Sequence, residues 1–119
     1  MKKNILIYDD DLEILFLCKT ILQHHNYEVE TLSTCEDVHK DIERVKPDLI
    51  LMDLWIPVMG GEKAVAMVKE NKATEHIPVL LFSANADIRD ISEKVNASGF
   101  IEKPFDVKSF VSIVQDNIG

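Results

Sequence analysis

DLILMDLWIPVMGG, residues 48–61, is the stretch whose reading decides the fold. Leu49-Ile50-Leu51-Met52 is apolar without alternation, the composition of a central strand covered on both faces. Asp53 stands where that run ends, and Pro57, Gly60 and Gly61 break the chain before the next element. A strand of this kind needs helices above and below it, so the flanking sequence is expected to supply them.

Upstream, Pro47 closes a helical pattern carrying Val38, Ile42 and Val45, and Thr34 with Asp37 makes a capping-box-like start for it. Tyr27 to Thr31 forms a strand before that helix. Asn26 offers a left-handed stop to a still earlier helix, capped by Asp11, with Leu12, Leu15, Phe16, Ile21 and Leu22 as its apolar face. Ile5-Leu6-Ile7-Tyr8 is a buried strand that runs directly into Asp9, Asp10 and Asp11.

Downstream, Ala64, Val65 and Val68 mark a helix, and Pro78-Val79-Leu80-Leu81-Phe82 a strand ending at Ser83. A weaker helix from about Asp87 turns Ile88, Ile91 and Val95 inward, with Gly99 as its cap. Phe100-Ile101-Glu102 is a short strand. Asp106 then caps a last helix with Val107, Phe110, Val111, Val114 and Ile118 at helical spacing.

Alternation of five strands with five helices implies right-handed crossovers and a parallel sheet with helices on both faces. The fold class expected is α/β, a flavodoxin-like (βα)5 doubly wound sheet of strand order 2-1-3-4-5. The first and third strands are neighbours in that order. The topological switch point therefore puts a crevice beyond their carboxyl ends, where Asp9, Asp10 and Asp53 stand.

The chain has 119 residues, which fit one domain spanning 1–119. Apolar residues make up 46% and charged residues 29%, the balance of a globular protein rather than a disordered one. A formal charge of −8 disfavours nucleic acid and anionic membrane surfaces and favours protein partners and cations. Cys18 and Cys35 lack zinc or redox spacing and read as reduced core thiols, which makes the cytoplasm the default location. Met1-Lys2-Lys3-Asn4 and Ile5-Leu6-Ile7 begin like a signal peptide, but the three aspartates cut the apolar stretch short. His24, His25, His39 and His76 show no ligand spacing and read as surface residues. Met52 and Met67 read as packing, and Met59 as part of a mobile loop open to partners.

Three carboxylates converging in one crevice repel one another, so the site should raise a carboxyl pKa or bind a cation. Mg2+ suits all-oxygen donors of this kind better than a metal that prefers histidine or thiolate. An acid after a strand is also an ordinary helix cap, and Asp11 fits that role, but a side-by-side pair plus a third acid on the neighbouring strand exceeds it. Ser83 and Lys103 end the fourth and fifth strands. With the acids they supply what a phosphoryl group needs, a metal and an ammonium for its charge and a hydroxyl for one oxygen. Lys103-Pro104 is a candidate cis bond.

On these residues the chain resembles a response-regulator receiver domain of two-component signalling along essentially its whole length. The matching pieces are Ile5 to Asp11, Asp48 to Gly61, Pro78 to Ala84 (PVLLFSA) and Gly99 to Phe105 (GFIEKPF), in that order. The resemblance implies that Asp53 is the phosphorylated nucleophile, fed by a sensor histidine kinase or a histidine phosphotransfer protein. It implies Mg2+ bound by Asp10, Asp53 and the backbone carbonyl of Trp55, with Asp9 acting through a water. It also implies that Lys103 pairs with the phosphoryl group, that Ser83 turns to hydrogen-bond it, and that Phe100 moves as the switch aromatic. That motion would remodel the face of the fourth helix, fifth strand and fifth helix toward a downstream protein target or effector domain. Such a domain catalyses only its own phosphorylation and dephosphorylation.

Ser83 stands where threonine is commoner in the resembled family, and Phe100 lacks a tyrosine hydroxyl. Trp55 is bulky, and with Asn85 it is expected either to cover a loop or to shape water access to the acyl phosphate. The rival readings are a haloacid dehalogenase-type phosphatase acting through Asp9, a flavodoxin-type flavin binder, and a Ca2+ loop on Asp9, Asp11 and Glu13. Against them stand Leu12-Glu13 after the acids, an acidic loop that repels a flavin phosphate, and the missing EF-hand glycine and terminal glutamate. No DNA-binding or catalytic segment follows Gly119 here, so the expectation is a stand-alone receiver or one cut from a longer chain.

Overall fold

The computed structural model describes residues 2–118; Met1 and Gly119, the ends of the one-domain reading, lie outside the described residues. The order is β1 (Asn4–Tyr8), α1 (Leu12–His24), β2 (Glu28–Leu32), α2 (Val38–Val45), β3 (Leu49–Asp53), α3 (Gly61–Glu70), β4 (Val79–Ser83), α4 (Ile88–Lys94), β5 (Gly99–Glu102) and α5 (Val107–Ile118). All strand pairs are parallel and the sheet order is β2-β1-β3-β4-β5, as the alternating pattern requires. Every residue of β3 is buried, which explains its unbroken apolar run.

Two cores flank the sheet. On one face Leu6, Tyr8, Ile50, Met52, Val79 and Leu81 meet α2, α3 and α4 through Val38, Ile42, Val65, Val68 and Ile88. On the other, Ile5, Ile7, Leu51, Leu80, Phe82 and Ile101 meet α1 and α5 through Leu15, Cys18, Leu22, Phe110 and Val114. Both cysteines are buried free thiols. Burial pushes the thiol of Cys18 up to about 12 and that of Cys35 up to about 11.

Several local expectations are corrected. The buried stripe of α1 is Leu15, Cys18 and Leu22, whereas Leu12 and Phe16 are 70% and 74% exposed. Phe16 lies about 100° around the helix from Leu15, and Leu12 opens the first turn beside the exposed Asp10–Asp11 loop. Asp37, not Thr34, caps α2, its carboxylate accepting from Lys40 N at 3.2 Å. Left-handed Asn96, φ 60°, follows α4, and Gly99 instead opens β5. Val107 is half exposed at the start of α5. His39 is half-buried, while the other three histidines are exposed. Asn26 is left-handed as expected, φ 74°, and the Lys103-Pro104 bond is cis.

Met59 is bonded to a neighbouring loop. Cys35 N donates to Pro57 O at 3.2 Å, Met59 N donates to Cys35 O at 3.0 Å, and the two sulfurs lie 4.0 Å apart. The loop after β3 is thus stitched to the loop after β2. Between the stitches Val58 holds φ 77°, a left-handed conformation that a β-branched residue rarely adopts. Among the described residues no helix is long and apolar enough to cross a membrane.

Candidate functional site

Strand register decides which side chains meet. Tyr8 pairs with Met52, so Asp9 and Asp53 leave adjacent strands at the same level. Asp53 pairs with Phe82, Phe82 with Ile101, and Ser83 with Glu102. Side chains alternate faces along a strand. Asp9, Asp53 and Lys103, each two residues beyond Ile7, Leu51 and Ile101, therefore fall on the α1/α5 face, whereas Ser83 and Phe100 follow Leu81 onto the other.

Carboxylate oxygens of Asp9, Asp10 and Asp53 lie within 4.8 Å of one another. Asp9 and Asp53 are buried and Asp10 is exposed at the rim. Lys103 Nζ donates to Asp9 Oδ2 at 2.6 Å and to Asp53 Oδ1 at 3.5 Å. The remaining oxygen of Asp9 accepts from Asp11 N at 2.9 Å, and Asp11 itself caps α1 by accepting from Glu13 N and Ile14 N. Burial, then the charge of Asp9, pushes the Asp53 carboxyl up to about 6 despite the opposing pull of Lys103. Burial works against the Lys103 ammonium, but its hydrogen bond to Asp9 and the charges of Asp53 and Asp9 outweigh that and raise its pKa.

This donor set fits a small hard cation. It is all oxygen, carries more negative charge than one ammonium balances, and has an open side at exposed Asp10 where water can complete a coordination shell. Of the residues singled out from the sequence, Asp9, Asp10, Asp53 and Lys103 converge. Ser83 is buried at the adjoining strand end, where Oγ accepts from Asn85 N at 3.0 Å and its carbonyl accepts from Lys103 N at 2.9 Å. The Trp55 indole is 69% exposed. Phe100 is half-buried against the α3/α4 core with the Arg89 guanidinium 5.3 Å from its ring centroid, on the face opposite the acids.

Two contributors were not singled out. Gly61 N donates to Leu54 O at 2.9 Å, and a Cβ at Gly61 would stand 2.5 Å from the carbonyl oxygen of Asp53 and 2.7 Å from Leu54 Cα. Only glycine lets α3 begin that close to the acid's own backbone. Phe82 lies under the Lys103 ammonium, 4.6 Å from ring centroid to Nζ. Phe82 pairs with Ile101, and two residues beyond Ile101 on the same face stands Lys103, so the strand alternation was the signal for it.

The fold and the crevice define a class: a doubly wound α/β domain bearing clustered acids, a serine and a lysine at the carboxyl edge of its sheet. Residues 5–115 match the response regulator receiver domain. The chain belongs to that family, the receiver domains of two-component systems. It is 36% identical over 121 residues to the nisin biosynthesis regulatory protein NisR of Lactococcus lactis, an alignment covering 99% of this chain and 51% of NisR. It is 29% identical over 124 residues to the polar-differentiation response regulator DivK of Brucella ovis, covering 100% of this chain and 98% of DivK. The chain spans about half the length of several curated relatives it matches, 44% of one and 54% of another. The fold also matches the crystal structure of the receiver domain of the Pseudomonas aeruginosa sensor histidine kinase PA1611, solved with a magnesium ion in its active-site cleft. That match has a TM-score of 0.88 at 24% identity and covers 100% of this chain and 99% of the other. The phosphatase reading through Asp9 finds no support, since Asp9 is held by Lys103 and Asp11 is spent as a helix cap.

Proposed function

We propose that Asp53 is the phosphoacceptor of this receiver, taking a phosphoryl group from a phosphohistidine of a sensor kinase or histidine phosphotransfer protein. The observation that carries this is the convergence of the three carboxylates with Lys103 at the switch point of the sheet. With a pKa of about 6, Asp53 is mostly ionised at neutral pH and still more basic than an ordinary carboxylate. One Asp53 oxygen attacks phosphorus. The new O–P bond forms as the N–P bond breaks, and the imidazole nitrogen leaves with the electron pair of that bond.

Lys103 then exchanges Asp9 for a phosphoryl oxygen. Ser83 leaves its bond from Asn85 N, turns toward the site and donates its hydroxyl proton to another. Asp10, Asp53 and the carbonyl of Trp55 would hold Mg2+, with Asp9 acting through a water, and the ion would neutralise charge on the phosphoryl oxygens. Movement of Ser83 opens space on the α3/α4 face, where Phe100 lies, and this couples the site to the α4-β5-α5 surface that meets a downstream target or effector domain. Such a protein catalyses only its own phosphorylation and hydrolysis.

Labelling with acetyl phosphate in Mg2+ followed by peptide mapping tests this reading. Phosphate is expected on Asp53 and absent from Asp53→Asn. Phosphate on Asp9 would overturn it.

A further inference from the structure

We propose that Phe82 is a positioning residue for Lys103, its ring face forming a second seat on which the ammonium moves from Asp9 to the phosphoryl group. The proposal rests on the reading of Asp53 as acceptor and adds a residue to it. Lys103 Nζ stands over the Phe82 ring at 4.6 Å from the centroid while donating to Asp9 at 2.6 Å and reaching Asp53 at 3.5 Å. The ring is fully buried and cannot follow a moving cation. Phe105 packs on it at 5.5 Å between centroids and Phe110 at 6.2 Å, and these two stack on each other at 4.8 Å. Phe105 is two residues from Lys103, so the turn that presents the ammonium also clamps the ring beneath it.

The physical need is specific. To approach the phosphoryl group the ammonium has to move away from Asp9 and lengthen that short bond, and its side chain is 20% exposed, so water replaces little of what is lost. A ring face attracts a cation over a broad area without demanding one direction. Phe82 pairs directly with Asp53 across the β3–β4 ladder and with Ile101 of β5, so its ring lies beside Asp53 on the side from which Lys103 reaches in. An aliphatic side chain there would fill the volume and leave the cation without that attraction.

The test replaces Phe82 by 4-fluoro-, 3,5-difluoro- and 3,4,5-trifluorophenylalanine, which keep the shape and progressively drain the ring face, with Phe82→Leu as the end point. Phosphorylation uses phosphoramidate in saturating Mg2+, the P–N bond breaking as Asp53 gains phosphate and ammonia leaves. The rate is expected to fall stepwise with each fluorination, to roughly one fifth for the trifluoro ring. In EDTA, the Lys103 ε-methylene protons are expected upfield of ordinary lysine by ring current, and unshifted in Phe82→Leu. A flat rate series, or unshifted protons in the unaltered protein, overturns the proposal. If the unaltered protein takes no phosphate on Asp53, the acceptor reading fails and this proposal falls with it; a flat series with Asp53 labelled throughout sinks this proposal alone.

Discussion

Lys103 Nζ sits 2.6 Å from Asp9 Oδ2 and 3.5 Å from Asp53 Oδ1, so in the resting site the ammonium belongs first to the acid that is not the proposed acceptor. It is the counter-charge for a carboxylate with no exposed surface. Removing one partner of a buried pair leaves the other charge uncompensated, which costs more than the pair contributes. Lys103→Met is therefore expected to lower metal-free stability at pH 7.5 by about 2 kcal/mol, the usual 3–5 discounted for the partial exposure of the lysine. Millimolar Mg2+ should restore most of it by replacing the lost positive charge. Urea unfolding with EDTA and with Mg2+ checks both halves, and a loss that Mg2+ leaves untouched would count against the three acids as a cation site.

Asp53 makes the protein's stability depend on pH in a direction opposite to that of a salt-bridged acid. Its folded pKa of about 6 is above the ordinary 3.8, so the fold favours its protonated form. That contribution is fully present below about pH 4 and is lost as pH rises through about 6, with a gap worth about 3 kcal/mol. Asp53→Asn removes the ionisation. In EDTA it should exceed the parent protein by about 2 kcal/mol at pH 7.5, and the two should converge toward pH 4. Paired urea titrations at both pH values decide this; equal midpoints at pH 7.5 would mean that burial and Asp9 do not strain the acid.

The order of the elements was legible because four of the strands are short apolar runs closed by an acid, serine or lysine, β2 alternates as an edge strand, and each helix carries a periodic face. Asp9, Asp10, Asp53 and Lys103 could be found for the same reason: in a parallel sheet all strand ends of one polarity share an edge. What could not be read depends on neighbours. Phe16 has the apolarity of a core residue and Leu15 beside it has the burial, and only packing separates them. The bond from Lys103 to Asp9 joins residues 94 apart in the chain, and nothing local marks Asp9 over Asp10 as its partner. The left-handed Val58 contradicts its own propensity and is held by the bonds of Cys35 to Pro57 and Met59.

Gly61 is the residue through which α3 is fitted to the backbone of Asp53. A methyl group there meets the Asp53 carbonyl oxygen at 2.5 Å and Leu54 Cα at 2.7 Å, both backbone atoms that no side-chain rotation can move. Either α3 retreats or the Asp53–Leu54 peptide shifts. Gly61→Ala is expected to cost about 2 kcal/mol in unfolding free energy and to slow phosphorylation from acetyl phosphate about tenfold. Gly60→Ala, whose Cβ meets nothing within 4 Å but whose φ is 81°, should cost about 1 kcal/mol from backbone strain and leave the phosphorylation rate nearly unchanged. Stability and rate measured on the two variants separate a clash at Asp53 from an ordinary turn requirement.

Trp55 follows Asp53 by two residues and is 69% exposed, so removing it should do little to the fold. Hydrolysis of an acyl phosphate on Asp53 needs a water in line with the breaking bond, arriving from the solvent side. That side is bordered by the loop carrying Trp55 and by the loop carrying Asn85. An indole on that side would exclude water over an area that alanine leaves open. Trp55→Ala is expected to shorten the phosphoryl lifetime about threefold, equivalent to about 0.7 kcal/mol of barrier, with an unfolding midpoint within about 0.5 kcal/mol of the parent. Loss of label from phosphorylated protein after donor removal gives the lifetime directly. An unchanged rate would assign the indole to covering the loop, while a faster rate with unaltered stability places it on the water's path.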